Sequence, residues 1–375
     1  MASRLVRRVA ILGCRGFPST YGGFETAVRE IAPIWQNQGL SVTVYCRDRK
    51  EGQLSWIHNG VCCRWTPGID NKSASTLSFG LTSNLDAALR SYDAALILNV
   101  ANGFFLPLLR MSGVGTALNT DGIEWERGKW GSAARQVFLA GARASARFAD
   151  VLVSDSRAIG DIWSDTFGVE TEFIPYGARV LEGIGERRVR DLGLEPGTYA
   201  LVVARLIPEN NVDLTLNALQ TGSSVPAVIV GSANYNAPIV TRLRSLSPGS
   251  PIKWLGHVDD QDLLNELWAN AGVYVHGHSV GGTNPALLQA LGAGSPTVAL
   301  DTVFNREVLG FEDQLYASDA HQLAAKIRAV LGDPVLRARW SARGREIVRE
   351  RYDWHDIAYR YREALELAAS RRQRT

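Results

Sequence analysis

The sequence predicts an α/β protein of two doubly wound domains. Three observations carry this. Strand-length apolar segments alternate with helical segments in two separate blocks. An extended stretch punctuated by Pro and Gly, Phe173-Ile174-Pro175-Tyr176-Gly177, falls between the blocks. Each block carries a glycine-bearing polar loop directly after an apolar segment, which is where parallel sheets place their ligands.

The first block opens with a short strand, Val9 to Leu12. Gly23 to Gln38 follows with helical periodicity, putting Phe24, Val28, Ile31, Ala32 and Trp35 on one side. Ser41 to Cys46, Ala94 to Val100, Gly115 to Asn119 and Val151 to Ser154 read as further strands, each bounded by turn or cap residues. A charged, irregular stretch runs to about Gly197, and the alternation then restarts. Tyr199 to Arg205, Ala227 to Gly231, Ile252 to Leu255, Val273 to His276 and Thr297 to Leu300 are expected strands. Val212 to Leu219, Gln261 to Ala271 and Asn284 to Leu291 are expected helices. Trp354 to Ala369 has amphipathic spacing: it either caps the C-terminal end or crosses back onto the first domain, and the second reading is carried forward. The domains are therefore set at 1–177, 178–353 and a C-terminal helix and tail at 354–375. The arginine-rich tail from Ser370 to Thr375 is expected to fray.

Composition narrows the function classes. The chain has 375 residues, 46% hydrophobic and 21% charged, as in ordinary globular proteins. A net charge of +2 gives no global field for nucleic acid. The apolar runs are strand-sized, so no membrane span is expected. Cys14, Cys46, Cys62 and Cys63 match no metal-site spacing, and a reduced cytoplasmic setting is the simplest reading. Asn102 to Arg110 is either a basic-edged apolar contact for the inner face of the plasma membrane or a buried helix start.

Four loops carry residues suited to chemistry. Gly13 to Thr26 has glycines after a strand and at a helix start: either backbone amides meet an anion there, or a turn needs positive φ. Arg205 ends an apolar strand and either neutralises a diphosphate or pairs with a nearby carboxylate to brace its loop. Between His278 and Pro285 the amides of Gly282, Thr283 and Asn284 open a helix, Gly281 leaves room for a ligand, and Gln289 lies one turn on, as a ligand contact or a backbone-bonded amide. In Asn119 to Trp130, acids beside tryptophans suit a sugar, or form a solvated turn with a Trp anchor. Asp259-Asp260-Gln261-Asp262 resembles a metal motif but precedes a helix, where Asp serves as a cap.

Five segments, in this order, resemble the retaining GT-B glycosyltransferases of family 4, and within them a bacterial rhamnosyltransferase-like subgroup. They are Arg15-Gly16 with Tyr21 to Thr26; Asp121 to Trp125 with Arg127 to Trp130; Arg205 with Pro208 to Asn211; His278 to Pro285; and Asn305 to Gly310. The resemblance implies two Rossmann-like domains facing a central cleft. It implies a nucleotide-sugar donor held mainly by the second domain, a glycan or polyprenyl-linked acceptor held mainly by the first, and no required metal or other cofactor. It assigns catalysis to Arg205, Asp121 and Glu124. Donor binding falls to Gly22, Gly23, Arg205, Asn210, His278, Gly281, Gly282, Thr283, Asn284 and Gln289. Acceptor binding falls to Tyr21, Phe24, Glu25, Trp125, Arg127 and Lys129. The chain departs from the wider family where its usual glutamates fall on Gly281 and Gln289 and its phosphate-binding lysine on Asn210. Gln289 in place of Glu suits a deoxyribose, hence a dTDP-sugar, with dTDP-rhamnose the expected donor. The rival readings are an epimerase or phosphorylase of the same fold, a transferase using another donor on a small molecule, and a non-catalytic nucleotide-sugar-binding subunit.

Overall fold

The computed structural model describes residues 6–18, 22–70, 74–126, 131–221, 225–233 and 237–373. The chain divides into two compact units: Met1–Tyr176 with Trp354–Thr375, and Gly177–Asp353.

The first unit is built on eight strands: β1 (Arg8–Leu12), β2 (Ser41–Cys46), β3 (Ser55–His58), β4 (Val61–Trp65), β5 (Ala94–Leu98), β6 (Gly115–Asn119), β7 (Val151–Ser154) and β8 (Glu172–Phe173). Their order is β3-β4-β2-β1-β5-β6-β7-β8. All neighbours pair in parallel except the β3–β4 hairpin. Central strands covered on both faces read as continuous apolar runs, and β1 and β5 are buried almost throughout. The order reverses between β1 and β5, and the crevice beyond the carboxyl ends at such a switch point is where doubly wound sheets place ligands.

The helix Gly23–Asn37 buries Val28, Ile31, Ala32 and Trp35 as the periodicity predicts. Phe24, expected on that face, is only half-buried, and Glu25 is buried instead. β5 stops at Leu98, short of the expected Val100, because Asn99 turns into the left-handed region (φ 74°) and a 3₁₀ segment begins. The segment Val100–Phe105 and the helix Leu106–Met111 bury Val100, Ala101, Asn102, Gly103, Leu106 and Leu109, which is the helix-start reading of this stretch. No helix among the described residues is long and apolar enough to cross a membrane.

The last helix, Trp354–Gln373, buries Trp354, Ile357, Tyr361, Leu365 and Ala368 within the first unit. Over its described residues, Ser370 to Gln373, the tail does not fray as expected. Helix continues to Gln373, and Arg371 and Arg372 donate to the main-chain oxygen and Oδ1 of Asp150 at 2.6 and 2.9 Å.

The second unit holds β9 (Ala200–Val203), β10 (Ala227–Val230), β11 (Ile252–Gly256), β12 (Val273–His276), β13 (Thr297–Leu300) and β14 (Leu315–Tyr316). The order is β11-β10-β9-β12-β13-β14, all parallel. One core of Val202, Leu216, Ile229, Val275, Val298, Ile327 and their neighbours covers this sheet. Its order reverses between β9 and β12, which puts the loops after Val203 and His276 side by side.

Candidate functional site

The second unit carries the better-defined site. The turn after β9 runs through Arg205 to the 3₁₀ segment Pro208–Asn210, and Asn211 follows in the left-handed region at φ 52°. Hydrogen bonds stitch this turn to the loop after β12. Asn211 Nδ2 donates to the Gly277 carbonyl at 2.8 Å. The main-chain N–H and hydroxyl of Ser279 both donate to the Glu209 carbonyl at 2.9 Å. Asn305 Nδ2 donates to the carbonyls of His278 and Leu300, holding the far side of the loop. The strands approach so closely that a Cβ on Gly277 would lie 2.6 Å from the Asn210 carbonyl oxygen.

This frame presents a helix N-terminus. The helix Pro285–Ala293 has Pro at its start, and the Asn284 side chain caps it by accepting from the Ala286 N–H at 2.9 Å. The Gly281–Thr283 turn leads into this helix start, where the helix dipole favours an anion.

The side chains here divide into committed and uncommitted. Asn210, expected at a phosphate, is buried and donates its amide to the Arg205 carbonyl at 2.8 Å, so it closes the turn. Asn284, also expected at the donor, has its side-chain oxygen in the cap. His276 is fully buried beneath the loop and stacks on His278, with ring centroids 4.3 Å apart and planes 12° apart. Burial first, and then the neighbouring His278 ring, push the pKa of His276 well below the ordinary imidazole value. Arg205 is exposed and has no ion pair among the described residues, so it does not brace the loop. Gln289, half-buried, makes no side-chain hydrogen bond among the described residues. Glu209, to which the sequence reading gave no role, has both carboxylate oxygens shut off from solvent with no hydrogen-bond partner among the described residues.

The first unit assembles a different set. The loop after β1 returns to the helix start at Gly22, which adopts φ 117°, as the positive-φ reading of this glycine pair requires. Glu25, expected at the acceptor, is buried and accepts from the Arg15 main-chain N–H at 3.0 Å, closing the loop. Beyond β6, Asp121 sits in the left-handed region at φ 58° and donates its N–H to Asn119 Oδ1 at 2.8 Å. Tyr176 lies among carboxylates. Burial first, and then the charges of Asp121, Asp155 and others, push its phenol well above its ordinary range. Phe24 packs on Tyr176 with ring centroids 6.5 Å apart. Asp121, Glu25 and Phe24 thus gather round Tyr176, together with Asp155, for which no site role was expected. Glu124 is buried on the short turn Glu124–Glu126. Trp125 meets Trp163 and Phe167 edge-on at 6.0 and 5.7 Å, so it anchors this turn as the Trp-anchor reading has it. Tyr21, Arg127, Lys129 and Trp130 lie outside the described residues.

Neither carboxylates nor thiols form a metal-sized cluster among the described residues. Asp260 caps the helix Gln261–Ala269, accepting from the N–H groups of Asp262 and Leu263, and its other oxygen pairs with Arg188. Cys14, Cys46 and Cys63 are buried free thiols.

Two Rossmann-like α/β units with parallel sheets define the GT-B fold of glycosyltransferases. Comparison with known proteins agrees with this class. Residues 187–347 match the family described as glycosyl transferases group 1, and residues 6–179 match a domain of unknown function, DUF1972. The chain is 34% identical over 176 residues to the phosphatidyl-myo-inositol mannosyltransferase of Mycobacterium leprae, covering 44% of this chain and 44% of that one. A GDP-mannose-dependent monoacylated alpha-(1-6)-phosphatidylinositol monomannoside mannosyltransferase of Corynebacterium glutamicum is 27% identical over 176 residues, covering 44% and 45%. The chain thus spans less than half the length of the curated relatives it matches. Among solved structures, sucrose-phosphate synthase from Thermosynechococcus elongatus superposes with a TM-score of 0.80 at 17% identity, over 95% of this chain and 97% of that one. Anabaena Alr3699/HepE in complex with UDP and glucose gives 0.75 at 16% identity, over 96% and 99%.

Proposed function

We propose that the chain is a glycosyltransferase that takes a sugar from a nucleoside diphosphate, with retention, and passes it to a glycan or polyprenyl-linked acceptor in bacterial polysaccharide synthesis. The second unit holds the donor and the first unit the acceptor. The observation that carries the proposal is Arg205. It is a guanidinium without an ion pair among the described residues, at the switch point of a parallel sheet whose neighbouring loop leads into a helix N-terminus. Two positive features at one crevice suit a diphosphate. The group 1 match over the second unit, and the UDP complexes among its structural neighbours, support the same donor class.

Departure of the nucleoside diphosphate leaves negative charge on the phosphate. In this reading Arg205 and the amides of Gly282 and Thr283 stabilise that charge, and their attraction is strongest as the sugar bond breaks. The leaving phosphate oxygen takes the proton of the attacking acceptor hydroxyl on the same face of the sugar. Asp121 and Glu124 orient the acceptor. A uracil or guanine ribonucleotide carries two ribose hydroxyls, whereas dTDP carries one. The neutral amide of Gln289 favours dTDP-rhamnose as donor.

The test is a thermal-shift screen against dTDP-rhamnose, UDP-glucose and GDP-mannose, followed by transfer assays on glycan and polyprenyl-linked acceptors. Selective stabilisation by dTDP-rhamnose, with transfer, supports the full reading. Preference for GDP-mannose, the donor named for one relative, keeps the transferase and replaces the sugar. Donor binding without transfer to any acceptor favours the binding-subunit reading, to which the committed amide of Asn210 lends support.

A further inference from the structure

We infer that Glu209 is a hydroxyl-recognising residue of the second unit's ligand site. This rests on the nucleotide-sugar reading above and adds a residue to it. Both carboxylate oxygens of Glu209 are closed to solvent and accept no hydrogen bond from any described residue. Such a group is costly to bury unless something completes it. The protein does not let it relax away. The Glu209 carbonyl is held by two donors of Ser279, Asn210 is locked onto Arg205, and Asn211 is locked onto Gly277. The turn that carries Glu209 is therefore fixed against the loop after β12, where the sheet order reverses.

The chemistry of the missing partner follows from the carboxylate itself. An ionised carboxylate only accepts hydrogen bonds, so its partner must donate. A phosphate brings acceptors and like charge and is excluded as that partner. Arg205, four residues upstream, makes no ion pair with it. A pair of neighbouring hydroxyls matches two free oxygens, as on a hexose or a ribose. The site then divides its work: Arg205 and the helix amides meet the phosphates, and Glu209 meets hydroxyls of the attached sugar or of the ribose.

The experiment is a binding ladder on the full chain, using pyrophosphate, dTDP and dTDP-rhamnose with the wild type, Glu209→Gln and Glu209→Leu. The melting temperature of each unliganded variant is measured in parallel. Removal of an uncompensated buried charge is expected to leave the melting temperature unchanged or raise it. Pyrophosphate affinity is expected to stay the same, while ligand affinity falls by about 10- to 100-fold for Glu209→Leu, and by less for Glu209→Gln. A loss that begins at dTDP assigns the single deoxyribose hydroxyl; a loss confined to dTDP-rhamnose assigns the neighbouring hydroxyls of the sugar. Weakened pyrophosphate binding, a lowered melting temperature or unchanged affinity throughout overturns the proposal and leaves the nucleotide-sugar reading standing. Failure of the wild type to bind any of the three ligands overturns both.

Discussion

Trp35 donates its indole N–H to the Ala358 carbonyl over 2.8 Å, joining the first helix of the chain to the last. The indole is fully buried, and the bond spans 323 positions. Close by in the same unit, Asn119 donates to the Tyr361 hydroxyl at 2.6 Å. The C-terminal helix is thus part of the first unit's core and touches the strand that leads to Asp121. Trp35→Phe is expected to destabilise the protein by about 1–3 kcal/mol, because it removes this bond and leaves a void where the larger buried indole packs. Denaturant unfolding measures this, with Tyr359→Ala, at an exposed position of the same helix, as the neutral control.

Arg205→Ala separates chemistry from stability. The side chain is exposed and has no ion pair among the described residues, so the melting temperature is expected to stay within the range of ordinary surface changes. Turnover is expected to fall by about 100- to 1,000-fold, with nucleoside diphosphate affinity falling too. Near-normal turnover in a steady-state transfer assay would remove Arg205 from the charge-stabilising role.

Much of this architecture was legible in the residues. β2, β6, β7, β12 and β13 fall where the apolar runs place them, because a strand covered on both faces needs an unbroken apolar segment. The β3–β4 hairpin was missed although Asn59-Gly60 signals it: Asn59 adopts φ 48°, as a tight hairpin turn demands. The strands beside that turn are short and half-exposed, so the alternation is weak. Arg205 and the loop from His278 to Pro285 stood out by position after a strand. The commitments of Asn210, Glu25 and Asn284 did not, since each is set by one carbonyl or N–H whose place depends on the folded loop. The packing of Trp125 on Trp163 and Phe167 is a long-range contact that no local pattern encodes.

Gly277→Ala tests whether the two loops of the second unit must touch. The new Cβ would meet the Asn210 carbonyl oxygen at 2.6 Å, and a backbone atom cannot swing aside as a side-chain tip can. The loops are expected to part, breaking the bond from Asn211 to Gly277. A stability loss of about 1–3 kcal/mol and a clear fall in donor affinity are expected. Unchanged affinity in a calorimetric titration would show that the stitching serves the fold alone.

Asp86 gives the first unit an acid-sensitive tie. Burial favours its neutral form, but hydrogen bonds from Arg64, Arg90 and Tyr45 outweigh this and hold its pKa well below the usual carboxylate range. A depressed folded-state pKa contributes stability that is complete above the unfolded value, near 3.8, and is lost as pH falls towards the folded value. Asp86→Asn is expected to cost about 2 kcal/mol at neutral pH. Its deficit against the wild type should shrink below about pH 4 as the wild type loses the same contribution. A deficit independent of pH in denaturant titrations would contradict this.

Gln289→Glu probes the choice of nucleotide. Gln289 lies on the helix Pro285–Ala293, and its side-chain amide is uncommitted among the described residues. A carboxylate there can accept from two ribose hydroxyls at once, whereas the amide carries one acceptor oxygen and competes with its own donor N–H groups. With deoxyribose only one of those hydroxyls exists, so the second acceptor gains nothing and the added charge is desolvated without return. The substitution is therefore expected to raise UDP affinity relative to dTDP by about tenfold. Thermal shifts with the two nucleotides read this as a reversal of rank, whatever the acceptor. If the ratio does not move, Gln289 does not face the ribose, and the argument from its side chain to a dTDP-sugar donor fails with it.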